Sequence, residues 1–331
     1  MLDVTAIKKD FPIFDRTIRD GQRLVYLDSG ATAQKPNSVI DAELNFYRFN
    51  NAAVHRGAHQ LAEEATENFE NSRSIVAEFL GAKSDEIVFT KSATESINLV
   101  AYALTERVKP GDRIVVSEME HHANLIPWQQ LAKRTGAELA WFEVTPEGRL
   151  DLSKIEEVIT PNTALVAITH QSNVLGTINP ISELVSKIHA VGGKVVLDAC
   201  QSAPHIKLKV LEMGVDAVVF SGHKMLGPTG IGVLWAKAQW LEELEPFLFG
   251  GSMIETVTME SATWAPLPRK FEAGVPNMAG AVGLAAAIKY IDGVGISEVT
   301  KHLEELNEYA LSKFAQISGL KLFGPTSTLD R

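Results

Sequence analysis

The most informative stretch for chemistry is Ser221-Gly222-His223-Lys224, followed by Met225-Leu226-Gly227-Pro228-Thr229-Gly230. A lysine leaving an apolar strand into a glycine-rich turn stands where α/β sheets place reactive groups. Its amine can form a Schiff base with an aldehyde cofactor once desolvation and neighbouring cations favour the neutral form. A second piece is Val195-Val196-Leu197-Asp198-Ala199-Cys200-Gln201, an apolar run ending in an acid. A carboxylate there is costly to bury unless it meets a cation, and the ring nitrogen of a pyridine cofactor is such a cation. Gln201 can then reach a ring oxygen. Lys91-Ser92-Ala93-Thr94-Glu95 lies between a strand and a helix, where free backbone N–H groups and the Thr94 hydroxyl can receive a phosphate. Glu120-His121-His122-Ala123-Asn124 has too few ligand types for a metal site, whereas the flat imidazole of His122 suits stacking on a ring and proton transfer near neutral pH. Each piece also has a plain meaning, as a surface lysine, a capping aspartate or a helix start.

The elements that must position these residues follow from the hydrophobic pattern. Strands are expected at Glu86–Thr90, Arg113–Ser117, Leu139–Glu143, Ala164–Thr169, Lys194–Ala199, Ala217–Phe220 and Ile231–Ala236. Helical spacing is expected over Thr94–Val108, Asn124–Thr135, Asp151–Ile159 and Ile181–Val191. This alternation defines an α/β class with a mostly parallel sheet. The linker Ser221–Gly230 is too short for a helical crossover. Beyond Gly250 a polar, aromatic loop region runs to Asn277, then come helices at Ala279–Asp292 and Ser297–Ile317 and a candidate strand at Leu320–Phe323. An isolated strand over a helix pair buries little, so the C-terminal part reads as unfinished and its helices as short of an apolar partner.

The 331 residues carry a net charge of −10 and no basic run, which argues against nucleic acid as a partner. No apolar run reaches the roughly 18–20 residues of a membrane span. The first residues lack the apolar core of a cleavable signal, so a cytoplasmic address is expected. The single cysteine, Cys200, excludes an internal disulfide framework. If its strand continues extended, Cys200 shares a face with Asp198 and packs as a small, inert hydrophobe.

The order of the motifs, from Tyr26-Leu27-Asp28-Ser29 through Ala53-Val54-His55-Arg56-Gly57 and Glu120-His121-His122-Ala123-Asn124 to Ser221-Gly222-His223-Lys224 and Phe271-Glu272-Ala273-Gly274, resembles the cysteine desulfurases. These are class V aminotransferase-type, fold-type I enzymes that use pyridoxal 5′-phosphate (PLP). The resemblance implies a seven-stranded, mostly parallel mixed sheet with helices on both faces plus an incomplete small domain. It divides the chain into an N-terminal segment, 1–20, that joins the small domain, a large PLP domain, 21–277, and the start of the small domain, 278–331. It gives Lys224 the covalent link to PLP and the role of base, Asp198 the ring nitrogen, Gln201 the ring oxygen and His122 the ring face. Thr94, Ser221 and His223 would hold the phosphate, and Asn173 would lie near the ring oxygen and the substrate carboxylate. His55 and Arg56 would lie at the dimer and active-site entrance, with the loop around Gly274 reaching a partner's phosphate. Val275 departs from the threonine that relatives often carry there.

The implied reaction converts L-cysteine to L-alanine and passes the sulfur, as a persulfide, toward an acceptor protein and iron–sulfur cluster assembly. The family's persulfide cysteine and its carboxylate-binding arginine are expected beyond Arg331. Selenocysteine lyase, with L-selenocysteine as substrate, and a catalytically silent PLP-binding dimeric scaffold are the alternatives. A transaminase fits the motifs less well.

Overall fold

A computed structural model describes residues 2–327 and residue 331. Seven strands form one sheet: β1 (Ile87–Thr90), β2 (Arg113–Ser117), β3 (Glu138–Phe142), β4 (Thr163–Thr169), β5 (Lys194–Asp198), β6 (Ala217–Ser221) and β7 (Gly232–Ala236). Their order across the sheet is β1-β7-β6-β5-β4-β2-β3. Strands β2 to β6 pair in parallel, while β7 runs antiparallel to both β6 and β1. The central parallel strands are apolar between their polar ends because helices cover both faces, while the edge strand β3 stays partly exposed. The antiparallel β7 follows from its short linker, which can turn back but cannot cross over.

The apolar interior lies on the two sides of the sheet. One side packs Ile87, Val115, Val166, Val195 and Val218 against the helix Gln60–Leu80 and the helix Met278–Val294. The other packs Val88, Ile114, Val196 and Val219 against Ala93–Ala103 and Ile126–Thr135. Among the described residues no single helix is long and apolar enough to cross a membrane.

Several expectations need correction. Helix Asp151–Ile159 is helical only over Ile155–Val158, because 144 and 150 pair across an isolated bridge and hold the start of the segment in a loop. Leu320–Phe323 is not a strand; the Leu320 amide still donates to Ile317 O in the turn that follows the last helix. The helix Met278–Val294 does not lack an apolar partner, since Ala281, Leu284, Ile288 and Ile291 are buried against the helices Asn37–Asn45 and Gln60–Leu80. The following helix, Ile296–Phe314, has no buried residue. The region after Gly250 contains a hairpin, β8 (Ile254–Val257) with β9 (Ala262–Trp264), where a loop was expected.

Candidate active site

The parallel strands end together, and β2, β4, β5 and β6 deliver Ser117, Thr169, Asp198 and Ser221 to one edge. In register, Asp198 lies beside Thr169 on one side and Val219 on the other. It is 5% exposed, and its Oδ1 accepts the Cys200 amide at 2.9 Å. That hydrogen bond turns the chain just past the strand, yet Cys200 still packs on the Val196 side of the sheet with its side chain against Asp198. Cys200 is buried all the same, and burial together with the Asp198 charge pushes its thiol well above the usual range.

Lys224 ends a single 3-10 turn, Gly222–Lys224, directly after β6. Glycine is required at 222, since a Cβ there would lie 2.8 Å from the Ile231 side chain and 3.2 Å from the carbonyl oxygens of Ile231 and Pro228. The Gly222 amide donates to Ile231 O, and the amides of Met225 and Gly227 donate to Gly222 O, which fixes the exit of the lysine. The Lys224 ammonium and the Asp198 carboxylate act electrostatically on the same two groups, His121 and Cys200. Burial and the Lys224 charge lower the His121 pKa.

Ser221 Oγ accepts the Ala93 amide at 2.9 Å, at the start of the helix Ala93–Ala103. Thr94 is exposed on that first turn. Strand β7 presses against the same turn: a Cβ on Gly232 would lie 2.5 Å from Ser92 Cα and C. His223 faces another way, with Nδ1 3.2 Å from Thr32 Oγ1 and its carbonyl accepting the Ala33 amide. Burial, Lys224 and Lys35 together lower its pKa. Gln201 Nε2 donates to Gly30 O at 2.8 Å, and Gln201 lines with Lys224, Tyr26, Ser29 and His205 a cavity of about 410 Å³. His122 and Asn173 line a second cavity of about 440 Å³ together with His121.

The structure does not bring His55 and Arg56 into these contacts. His55, at φ 63°, pairs with Glu70 at 2.9 Å, and the Arg56 guanidinium lies against Gly251. Glu70 leads to Arg73, which is 1% exposed and paired through two nitrogens with Glu272, itself the acceptor of the Phe89 amide. Three residues at or near the edge had no role from sequence: Glu120, Lys35 and Tyr26. Glu120 stood inside a motif whose histidines drew the attention, and the signal for it was an acid three residues after the strand-end Ser117.

The donor set fits a phosphorylated pyridine aldehyde. One amine leaves β6, one buried carboxylate ends β5, and a helix start with Thr94 and Ser221 offers hydroxyls for a phosphate. The aminotransferase class-V family model matches residues 25–331. A probable cysteine desulfurase of Streptomyces coelicolor is 52% identical over 337 residues, covering 100% of this chain and 81% of the relative. The apo cysteine desulfurase of Thermococcus onnurineus NA1 superposes with a TM-score of 0.91 at 39% identity, covering 100% of this chain and 81% of that one. A cysteine desulfurase of Escherichia coli superposes with a TM-score of 0.88 at 35% identity, covering 99% and 82%. The chain belongs to the cysteine desulfurase family of class-V aminotransferases. It is a PLP-dependent transferase.

Proposed function

We propose that the protein takes sulfur from L-cysteine, leaving L-alanine, with Lys224 as the group that binds PLP and moves the Cα proton. The observation that carries this reading is the placement of Lys224 and Asp198 at the ends of neighbouring strands, within electrostatic reach of the same two side chains. PLP, when bound, supplies an electron sink for the bond-breaking at Cα. Asp198 would hold the ring nitrogen protonated, and Gln201 would meet the ring oxygen. Thr94, Ser221 and His223 would hold the phosphate. His122 would cover the ring, and Asn173 would orient the substrate carboxylate. Lys224, freed by the substrate amine, would take the Cα proton and return a proton to Cβ.

The sulfur must leave to a thiol: an acceptor thiolate attacks the cysteine Sγ, the Cβ–Sγ bond breaks, and a persulfide and alanine result. Cys200 does not suit that step, because burial keeps it protonated and enclosed. The acceptor is therefore a thiol outside residues 1–331, and the persulfide sulfur would pass to an acceptor protein serving iron–sulfur cluster assembly. Loaded with PLP and given L-cysteine and dithiothreitol, the protein should form alanine, Cys200→Ala should form it equally, and Lys224→Ala should form none. PLP-loaded protein that yields no alanine under these conditions, or yields it only with Cys200 intact, would refute the assignment.

The chain would act as a homodimer. Leu27, Val25, Val275 and Phe49 are 92%, 71%, 76% and 68% exposed, an apolar load that a dimer interface would cover. Sedimentation should give twice the chain mass; a monomer at micromolar concentration would refute it.

A further inference from the structure

We propose that Glu120 is a positioning residue that fixes the His121–His122 turn against the strand end carrying Asp198. The inference rests on the reading of this edge as the PLP site.

The side chain of Glu120 is 8% exposed as a residue and lies just past β2. Its Oε1 accepts Ser117 Oγ at 2.6 Å and the Thr169 amide at 3.0 Å, and its Oε2 accepts Asn124 Nδ2 at 2.6 Å. These partners belong to three different elements. Ser117 ends β2; Thr169 ends β4 and is the register neighbour of Asp198; Asn124 closes the 3-10 turn that begins at His122. Asn124 Oδ1 in turn accepts Trp128 Nε1 at 3.0 Å, and the Asn124 amide donates to His121 O at 2.7 Å. One carboxyl thus ties the turn bearing both histidines to two strand ends and to the helix behind it.

The arrangement demands a carboxyl rather than an amide. Oε1 must accept from Thr169 N–H, and Oε2 must accept from Asn124 Nδ2. Asn124 cannot flip without turning a donor toward the Trp128 indole N–H. A glutamine at 120 therefore sets its NH2 against a donor in either orientation. The argument holds for both protonation states, since a neutral acid can donate to Ser117 Oγ through Oε1 and still accept from Thr169. Burial, the largest influence, together with the Asp198 charge raises the Glu120 pKa to about 8 against the opposing pull of its three donors. Its proton is thus sensitive to the charge at Asp198, which links the turn electrostatically to the same strand end.

The test uses complementary variants. Glu120→Gln should weaken PLP binding about tenfold, the effect of one lost buried hydrogen bond, and reduce the visible circular dichroism of the resting PLP-loaded protein. The double variant Glu120→Gln/Asn124→Asp exchanges acid and amide, restores a partner to every donor, and should recover both signals. Should Glu120→Gln fail to fold, Ser117→Ala removes one donor alone and should show the dichroism change in milder form. Wild-type affinity and dichroism in Glu120→Gln, or in Ser117→Ala if that variant stands in, would overturn the inference, as would a double variant no better than Glu120→Gln. All readings precede any substrate. A wild type without a visible band defeats the PLP reading itself, whereas a normal wild-type band with indifferent variants defeats only the role of Glu120.

Discussion

At the scale of single residues, the edge of the sheet combines groups that burial holds neutral with groups that must stay charged. His170 sits behind Asp198, its amide donating to the Asp198 carbonyl and its Nδ1 2.9 Å from Ser202 Oγ. Burial lowers its pKa to about 4. A histidine whose folded pKa lies below its unfolded value contributes stability that is fully present above the unfolded value and is lost as protons bind the unfolded chain on acidification. The window runs from the ordinary value of 6.5 down to about 4. Over it His170 should cost on the order of 3 kcal/mol. Urea unfolding at pH 7 and pH 4.5 should show a smaller acid loss for His170→Gln than for wild type; equal losses, or a native His170 proton titrating near its ordinary value, would contradict this. Lys224, Asp198 and the Thr94 turn were legible as candidates because each combines a reactive side chain with a strand or helix boundary. The Glu120 network was not, since its partners Thr169 and Asn124 meet only once β2 and β4 are adjacent.

At the scale of elements, the strands were legible almost to the residue because a sheet covered on both faces leaves uninterrupted apolar runs. The long helix Gln60–Leu80 was not. Its buried face includes Ser72 and Arg73 beside Ala65, Phe69 and Val76, and the burial of Arg73 makes sense only through Glu272, 199 positions away. The hairpin β8–β9 was hidden for the opposite reason: its residues are mostly exposed, so no alternation of apolar and polar marks it. One close contact between elements is that of β7 with the helix start at Ser92. Gly232→Ala would drive a Cβ into the Ser92 backbone and force the helix start to shift, at a cost of about 1–3 kcal/mol. It should lower both the melting temperature and the affinity for PLP, because the turn bearing Thr94 must move away from Ser221. An unchanged affinity would show that this turn does not bind the cofactor.

At the scale of the whole molecule, the fold is a machine for bringing distant segments to one edge. Residues 26–35 close over Lys224 from one side, the histidine turn lies within its electrostatic reach, and the β5–β6 strand ends form the floor. Lys224 carries the amine that would hold PLP. Lys35 is its nearest rival: its ammonium donates to the His223 carbonyl at 3.3 Å, and burial lowers its pKa. The direct measurement is borohydride reduction of the PLP-loaded protein, followed by peptide mapping by mass spectrometry. The cofactor's mass should appear on the peptide containing Lys224 and nowhere else, with no labelled peptide from Lys224→Ala. Label on Lys35, or undiminished label in Lys224→Ala, would contradict it.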